Sequence, residues 1–346
     1  MATIRDIAKI ADLSPATISR ALRNDPNISV ATREKVAKLA AEMDYFTNAK
    51  KHNRASGKII GVICPEIVSY NYASITEAVS SQLRSKGYGC VLMVTQMEAE
   101  TEKAALETLK NQQVAGIILI MYDDVASKAA LAEFKKKSKI PVVQIANFDE
   151  YDGYDSLMIN NRQAIEHLID YLLELGHKDI AIVADDNAFE RMNITCDCLQ
   201  DKGIFLKKNR KIIVKGERFE YSGYLGAMQL LKSSDCPTAV IAMYDYIAFG
   251  ILRACSELGI SVPEELSVVG IDNIRTASYI PKALTTVSMP HADMGRIAAR
   301  LIVNRIEEGK KTAIQHVSLD PIIVVRETTA PIGGAIISQE NDRNEE

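Results

Sequence analysis

From residue 59 onward the sequence alternates short, continuously apolar runs with amphipathic segments, and this alternation limits the fold more than any other feature. Examples are IIGVIC at 59–64, GIILIM at 116–121 and IAIVAD at 180–185. The segments between such runs place apolar residues at helical spacing. Strands that are apolar throughout are buried on both faces, which is typical of parallel sheets covered by helices. The sequence therefore predicts a doubly wound α/β body.

The apolar runs form two successive sets along the chain. In the first set, strands are predicted at 59–64, 89–94, 116–121 and 140–146, with helices at 74–85, 98–111 and 125–137. In the second set, strands are predicted at 157–160, 180–185, 211–214, 238–243 and 266–272, with helices at 161–175, 189–202, 221–232 and 246–258. Two doubly wound units predict two lobes, with ligands bound in a cleft at the carboxyl ends of the strands.

The first sixty residues have a different pattern, in which short amphipathic helices follow one another closely. Residues 3–22 read TIRDIAKIADLSPATISRAL, and the apolar spacing of the first helix is broken at 12–13. Ser14 and Pro15 then open a second helix, because Ser is a good N-cap and Pro lacks the N–H that has no partner there. A third helix is predicted from Ser29. Two short helices joined by a tight turn predict a helix-turn-helix.

Charge separates this head from the rest of the chain. Residues 1–58 contain 11 Lys and Arg against 6 Asp and Glu, a net charge of +5. Residues 59–346 contain 30 against 39, a net charge of −9, and the two parts together give the −4 of the whole chain. A basic head on an acidic body is expected of a phosphate-binding module attached to another domain. The alternative, three ordinary surface helices of a larger fold, does not predict this imbalance.

Residues 3–45 closely resemble the headpiece of bacterial transcription regulators of the LacI/GalR (lactose-repressor-type) family. The resemblance rests on S-x-x-T-[IV]-S-R, matched at 14–20, and on S-x-x-T-R-E-K-V, matched at 29–36. It continues through LELGHKDIAIV at 173–183 and through PTAVIAMYDYIAFGILRACSELGISVPEELSVVGIDN at 237–273. These segments are similar to the family's effector domain, which itself resembles periplasmic sugar-binding proteins.

The resemblance implies a division into domains. It identifies LTTVSMPHADMGRIAARLI at 284–302 as the crossover back into the first lobe. We expect a helix-turn-helix headpiece at 1–47, a basic hinge at 48–58, an effector-binding and dimerisation domain at 59–330 and a polar tail at 331–346. We expect lobe one at 59–160 and 289–320, and lobe two at 161–288 and 321–330. The fold class is then an all-α headpiece plus an α/β, two-lobed domain like a periplasmic binding protein.

The resemblance also implies a set of DNA-binding residues on the second helix and around it. Pro15 and Ala16 occupy the family's positions of direct base readout, where apolar side chains can contact only a thymine methyl or a base edge by shape. Arg20 is the candidate for a base hydrogen bond, ideally bidentate to guanine. The expected phosphate contacts come from Thr3, Ser14, Thr17, Ser19, Asn24, Asn27 and Thr32. Two alternatives stay open: Ser14 as a helix cap only, and Thr17 as a side chain that faces the core.

The predicted hinge departs from the family pattern. The family inserts an apolar wedge, usually Leu, into the minor groove, and no Leu lies between Tyr45 and Lys58. Arg54 falls at or next to the wedge position. Either Lys51 and Arg54 contact a narrow minor groove electrostatically with little kinking, or the hinge stays disordered.

For the effector, the resemblance implies a cleft with polar groups for sugar hydroxyls and an apolar face for the ring. Asp272 ends a predicted strand and matches the family's ligand carboxylate, with a turn-capping role as the alternative. Arg191 matches the family's hydroxyl clamp, although MNI replaces the usual x-x-Gly after it. Tyr244 is a further candidate, while Asp245 is expected to cap a helix. The remaining candidates are Tyr70, Tyr72, Asn147 and Phe148, expected on strand-end loops, and His291, each with a structural role as the alternative.

Several classes of function are disfavoured by the sequence. The chain contains none of G-x-S-x-G, a P-loop, H-E-x-x-H or G-x-G-x-x-G in a strand-to-helix context, so we expect no enzyme. The six cysteines are scattered, and we expect reduced thiols with neither metal nor cofactor. Asp185 and Asp186 have no partner carboxylate and are interpreted as solvated loop residues. Without a signal-peptide pattern or a membrane-length apolar run, a cytoplasmic location is expected.

Together these observations predict a repressor of a sugar-utilisation operon. Its expected partners are palindromic operator DNA, a sugar-like effector and a second copy of the chain, since the tail lacks the Leu heptads of a tetramerising bundle. The alternatives are a global carbon-catabolite regulator controlled by a phosphorylated carrier protein, and a regulator with a purine-type co-repressor.

Overall fold

Three short helices pack together near the N-terminus: α1 (Ile4–Ala11), α2 (Pro15–Leu22) and α3 (Val30–Glu42). Their apolar faces share one small core, and its buried members are Ile7, Ala8, Ala11, Ile18, Ala21, Val36 and Ala40. The turn between α1 and α2 passes through Asp12, whose φ is +53°. The helix-turn-helix prediction is confirmed.

The computed structural model describes residues 4–22, 25, 27–43, 59–121, 125–146, 153–232, 235–309 and 313–334. The expected hinge at 48–58 lies outside this part of the chain, as does most of the expected tail. The domain limits themselves therefore stay a prediction.

The first of two six-stranded sheets is parallel throughout. Its strands are β1 (Ile59–Cys64), β2 (Gly89–Val94), β3 (Gly116–Ile120), β4 (Val142–Ile145), β5 (Asp155–Ile159) and β11 (His316–Leu319), in the order β11-β5-β4-β3-β1-β2. Helices α4 (Tyr70–Ser85), α5 (Ala99–Asn111) and α6 (Val125–Lys137) connect the early strands. Strand β3 is buried along its whole length, as its continuous apolar sequence predicts.

The second sheet has the same plan with one antiparallel edge. Its strands are β6 (Ile180–Asp185), β7 (Lys211–Val214), β8 (Ala239–Ala242), β9 (Ser267–Ile271), β10 (Thr285–Ser288) and β12 (Ile322–Val324), in the order β12-β10-β9-β8-β6-β7. Its helices are α7 (Asn161–Glu174), α8 (Phe189–Asp201), α9 (Phe219–Leu231) and α10 (Asp245–Leu258). Strand β12 runs antiparallel to β10, so this sheet is not wholly parallel as the sequence predicts.

The chain passes between the two sheets three times. It leaves the first sheet after β5, returns to it at β11, and crosses again to add β12 to the second. Helix α11 (His291–Glu308) carries the return and packs against α4. The fold class predicted from the sequence, two doubly wound units after an all-α head, is confirmed.

Two helices of the second lobe approach closely through glycines. A Cβ added to Gly223 in α9 would lie 2.0 Å from the carbonyl oxygen of Ile247, and one added to Gly250 in α10 would lie 1.8 Å from that of Glu220. No real Cβ occupies such positions, so the helices can pack at this distance only because both residues lack a side chain.

Candidate effector cleft and DNA-binding face

A cavity of about 140 Å³ lies between the two lobes, at the carboxyl ends of the strands. Five of the eight effector candidates line it: Tyr70, Tyr72, Arg191, Tyr244 and Asp272. Asn147 and Phe148 lie outside the described residues. His291 does not line the cavity and is buried behind it, where its ring meets Tyr70 edge to face at a centroid distance of 6.4 Å.

Asp272 follows the end of β9 in an unusual backbone conformation. Its φ is +112°, and that of the next residue, Asn273, is +52°. Its carboxylate is 12% exposed and lies 3.7 Å from Nη1 of Arg191 and 3.5 Å from Nε2 of His291. Non-glycine residues at positive φ persist only where neighbouring contacts hold them, and they cluster at ligand sites. The strand end thus presents one carboxylate to the cavity beside a guanidinium.

Contacts from several elements hold this turn in place. The side chain of Asn273 donates to the Ser288 hydroxyl at 3.2 Å and accepts from Nη2 of Arg326 at 2.6 Å. The backbone N–H of Ile274 donates to Asp245 Oδ2 at 2.8 Å. The orientation of Asp272 is therefore set by residues that lie outside the cavity.

Asp245 has a role other than the helix cap that the sequence predicts. It is the first residue of α10, is fully buried, and accepts a hydrogen bond from the Thr286 hydroxyl at 2.6 Å as well as the one from Ile274. Burial, followed by repulsion from Asp272, raises the pKa of Asp245 to about 8. Asp245 thus ties α10 to the turn that carries Asp272.

Arg191 lies in the first turn of α8, and a backbone contact holds its guanidinium at the cavity. Its Nη1 donates to the carbonyl oxygen of Met243 at 2.7 Å, which anchors the guanidinium beside the end of β8. Helix α8 continues without interruption through MNI to Asp201. The substitution of the family's x-x-Gly therefore does not break the helix that carries Arg191.

The two lobe-one tyrosines differ from the prediction in their local structure. Tyr70 and Tyr72 lie in the first turn of α4, which begins four residues before the predicted start, and not on a loop. The Ser69 N-cap makes no side-chain bond to the helix. Its hydroxyl donates instead to the Glu66 carboxylate.

Four further residues, two charged and two aromatic, line the cavity and were not predicted from the sequence. Arg218, Phe219 and Tyr246 line it from lobe two, and Glu66 lines it from lobe one. Arg218 and Phe219 lie where the chain enters α9 after β7, with Phe219 as the first residue of the helix, and Glu66 follows β1, so the rule that ligands bind at strand ends could have found all three. Phe219 has a φ of +60°.

Asp185 is also placed differently from the prediction. It is the last residue of β6 and is fully buried, and its Oδ1 accepts from the Asn187 backbone N–H at 3.0 Å. Burial raises its pKa. Asp186 is exposed and accepts from the Gly216 N–H at 2.8 Å, so only the second residue of the pair lies in solvent.

In the headpiece, the exposed side of α2 carries most of the described DNA candidates. Pro15, Ala16 and Arg20 are exposed, whereas Thr17 and Ser19 are half-buried. Thr3, Asn24, Lys51 and Arg54 lie outside the described residues. The Ser14 hydroxyl accepts from the Thr17 N–H at 3.1 Å and therefore caps α2, and Ser29 does the same for Thr32 in α3 at 3.2 Å.

Arg20 is oriented by an acidic neighbour. Its Nε donates to Asp25 Oδ2 at 2.8 Å, and this hydrogen bond is the main reason that the pKa of Asp25 is lowered to about 2. Asn27 donates to the other oxygen of Asp25 through its N–H at 2.9 Å. Because the ion pair uses Nε, the two Nη groups are the ones suited to a bidentate contact with guanine.

Among the described residues, no group of three or more His, Cys, Asp and Glu side chains could hold a metal ion, and all six cysteines are free thiols. Within that part of the chain, no helix is both long and apolar enough to cross a membrane.

Comparison with known proteins matches both parts of the chain. Residues 3–48 match the family of bacterial regulatory proteins, lacI family, and residues 169–329 match the periplasmic binding protein-like domain. Catabolite control protein A of Priestia megaterium is 30% identical over 307 residues, which cover 87% of this chain and 91% of that protein. The chain belongs to the lacI family. It is a DNA-binding regulator of transcription.

Two further relatives extend the comparison. The HTH-type transcriptional repressor PurR of Proteus mirabilis is 29% identical over 337 residues, covering 95% of this chain and 97% of its own. A LacI family transcriptional regulator from Enterococcus faecium, solved with bound ribose, is 26% identical with a TM-score of 0.67. The match covers 80% of this chain and all of that one. Both relatives are named as regulators of transcription.

Proposed function

We propose that the protein represses a sugar-utilisation operon, and that a small sugar-like effector in the interlobe cleft controls its binding to a palindromic operator. Effector binding changes how the lobes close, and the lobes in turn set the spacing of the two heads of a dimer. Affinities for DNA and for effector are then coupled reciprocally. A cytoplasmic location is part of the same proposal.

The observation that carries this proposal is the convergence of polar and aromatic groups in the cleft. Arg191 and Asp272 lie 3.7 Å apart on one wall, a guanidinium fork and a carboxylate that suit adjacent hydroxyls. Tyr70, Tyr244 and Phe219 offer rings for the apolar face of a sugar. The Enterococcus faecium relative with bound ribose supports the same class of ligand.

We propose the predicted residues of the headpiece as the DNA contacts, with Arg20 as the base reader. The support is the exposure of Arg20, whose side chain is 52% accessible, and its orientation by Asp25. We propose Ser14, Ser19 and Thr32 as phosphate contacts. The capping bond of Ser14 does not oppose this, because a hydroxyl that caps a helix lies at the N-terminus where phosphates bind, and Thr32 lies in the first turn of α3, which Ser29 caps.

A homodimer is the assembly we propose. Lobe two presents an apolar groove lined by Phe249, Leu252, Ile260, Val262 and Ile280, and Tyr279 beside it is 76% exposed. Apolar surface of this kind on a regulator that reads a two-fold symmetric site fits a second copy of the chain.

A thermal-shift screen of the purified protein tests the effector class. The panel is free sugars, sugar phosphates and purines, because a ligand that binds only the folded state raises the melting temperature by mass action. A shift with a free sugar that also changes operator affinity is the expected result. A shift with a purine alone favours the co-repressor alternative. No shift in any class overturns the sugar proposal and directs the search to a phosphorylated carrier protein.

A further inference from the structure

An ion pair that the effector proposal does not use joins the two lobes at the cleft. Glu66 belongs to the loop after β1 in lobe one, and Arg218 to the loop before α9 in lobe two. Arg218 Nη1 donates to Glu66 Oε2 at 2.9 Å and Nη2 donates to Oε1 at 2.9 Å. The contact is therefore a bidentate fork between loops that share no sheet.

Neighbouring groups hold both sides of this pair. On the lobe-one side, the Ser69 hydroxyl donates to the Glu66 carboxylate. On the lobe-two side, Asn187 accepts from Arg218 Nε at 2.7 Å when its amide oxygen faces the guanidinium. Arg218 also lies over the ring of Phe219, with Cζ 4.5 Å from the centroid. Both ends are thus pre-oriented, which reduces the entropy lost when the fork forms.

Burial of its carboxylate and a bidentate geometry distinguish this pair from an exposed ion pair such as that of Lys202 and Asp170. The side chain of Glu66 is only 13% exposed and that of Arg218 is 34% exposed. By contrast, Lys202 and Asp170, which pair at 2.5 Å, are 36% and 44% exposed. Phe219, the neighbour of Arg218 in the chain, has a φ of +60°. This conformation costs free energy and persists only where the surrounding structure holds it. An exposed pair contributes little, whereas a bidentate, half-buried pair is screened less.

We propose that Glu66 and Arg218 form a latch between the lobes, which holds the cleft closed and must open before an effector can enter. The latch regulates the effector site and to that extent rests on the proposed function. Because protein groups alone form it, it stabilises the closed arrangement whether or not an effector is present. Opening the lobes separates the two loops and returns both charges to water.

Hydrogen–deuterium exchange without added effector tests the latch directly. The variants are Glu66→Gln, which keeps the length of the side chain, and Arg218→Gln, which shortens it, and each removes one charge. We expect peptides covering 64–72 and 216–222 to exchange about tenfold faster in either variant. Peptides covering the central strands β6 and β8 should be unchanged, which shows that the variants are folded. Asp170→Asn is the matched control, because it breaks an ion pair within one lobe, and it should leave the cleft peptides at the wild-type rate.

The double variant Glu66→Gln/Arg218→Gln completes a double-mutant cycle. A latch predicts that it exchanges no faster than either single variant, since each single change already breaks the one contact. Additive effects, or wild-type exchange in Glu66→Gln, would overturn the proposal. Neither outcome depends on a sugar binding, so a failed ligand screen and a failed latch remain distinguishable.

Discussion

At the scale of single residues, Arg20 and Asp272 are the residues that we propose for DNA and effector recognition, and each has neighbours that orient it. Asp25 holds Arg20, and the turn fixed by Asn273 and Asp245 holds Asp272. The sequence alone predicted both candidates because they fall at family positions. It could not predict the roles of Asp25 and Asp245, because these depend on contacts made in the fold: Asp25 pairs with Arg20, five residues earlier, and Asp245 accepts from Ile274, 29 residues later.

Replacing Arg20 with Ala should weaken binding to the operator by about tenfold or more, since a bidentate contact with guanine contributes about 1–3 kcal/mol of discrimination. Binding to random DNA should change little. Fluorescence anisotropy with operator and with scrambled duplexes at one fixed salt concentration measures both. An equal loss on the two duplexes would remove Arg20 from base readout.

Replacing Asp272 with Ala should abolish the response to effector and leave operator binding intact. The carboxylate lies in the cleft, in a different domain from the proposed DNA contacts of the headpiece. The measurement is operator affinity with and without the sugar found in the screen. Asp293→Ala, which removes an exposed carboxylate at the start of α11, is the control. A variant that responds normally would exclude Asp272 from the site.

Asp245 should make the folded protein less stable as the pH rises. Its pKa is about 8 when folded and lies near 4 when unfolded, so the folded state binds more protons between these values. The stabilisation is complete below pH 4 and is lost as the pH rises through 8. Asp245→Asn removes this titration, because an amide does not ionise. The amide oxygen can still accept from the Ile274 N–H, and the amide nitrogen can donate to the Thr286 hydroxyl.

Melting temperatures between pH 5 and pH 9 test this prediction. The wild type should lose more melting temperature over that range than Asp245→Asn does. Parallel curves for the two proteins would show that Asp245 is ionised in the folded state at neutral pH.

At the scale of elements, the sequence predicted strands better than helix starts. Strands such as β3 and β6 are buried along their whole length, and their continuous apolar runs between helical segments predict them as buried strands. Helix α4 begins at Tyr70, four residues before the predicted start, and α9 begins at Phe219, two residues before its predicted start. Neither N-cap residue makes a side-chain bond to its helix: the Ser69 hydroxyl donates to Glu66, and Phe219 contacts the ring of Tyr246, 27 residues later. The pairing of Arg218 with Glu66, 152 residues away, leaves no local pattern.

The packing of α9 on α10 gives a prediction at this scale. Gly250→Ala would place a Cβ 1.8 Å from the backbone carbonyl oxygen of Glu220, and backbone cannot move aside as a side chain can. We expect a loss of about 3 kcal/mol in the free energy of unfolding, at the upper end of the usual cost of overpacking. Urea denaturation measures it. Gln229→Ala, an exposed change on α9, should cost less than about 0.5 kcal/mol.

At the scale of the whole molecule, the two lobes enclose the cavity, and lobe two carries the apolar groove that we propose as the surface for a second copy. Tyr279→Asp should dissociate the dimer, because it places a charge beside the apolar groove of lobe two. Sedimentation equilibrium measures the result. Phe205→Asp is a matched control, since Phe205 is 77% exposed and does not line that groove. A dimer of wild-type strength in Tyr279→Asp would place the interface elsewhere.

The three crossings between the sheets also constrain the order in which the protein can be made. The edge strand β11 pairs with β5, and Ser156 bonds to His316, a residue 160 positions later. Strand β12, synthesised later still, closes the other sheet against β10. Lobe one therefore stays incomplete on the ribosome until β11 has emerged, and lobe two until β12 has emerged. A message cut short before residue 316 yields neither lobe intact, so a truncated product is expected to reach the cell's proteases and not to compete for the operator.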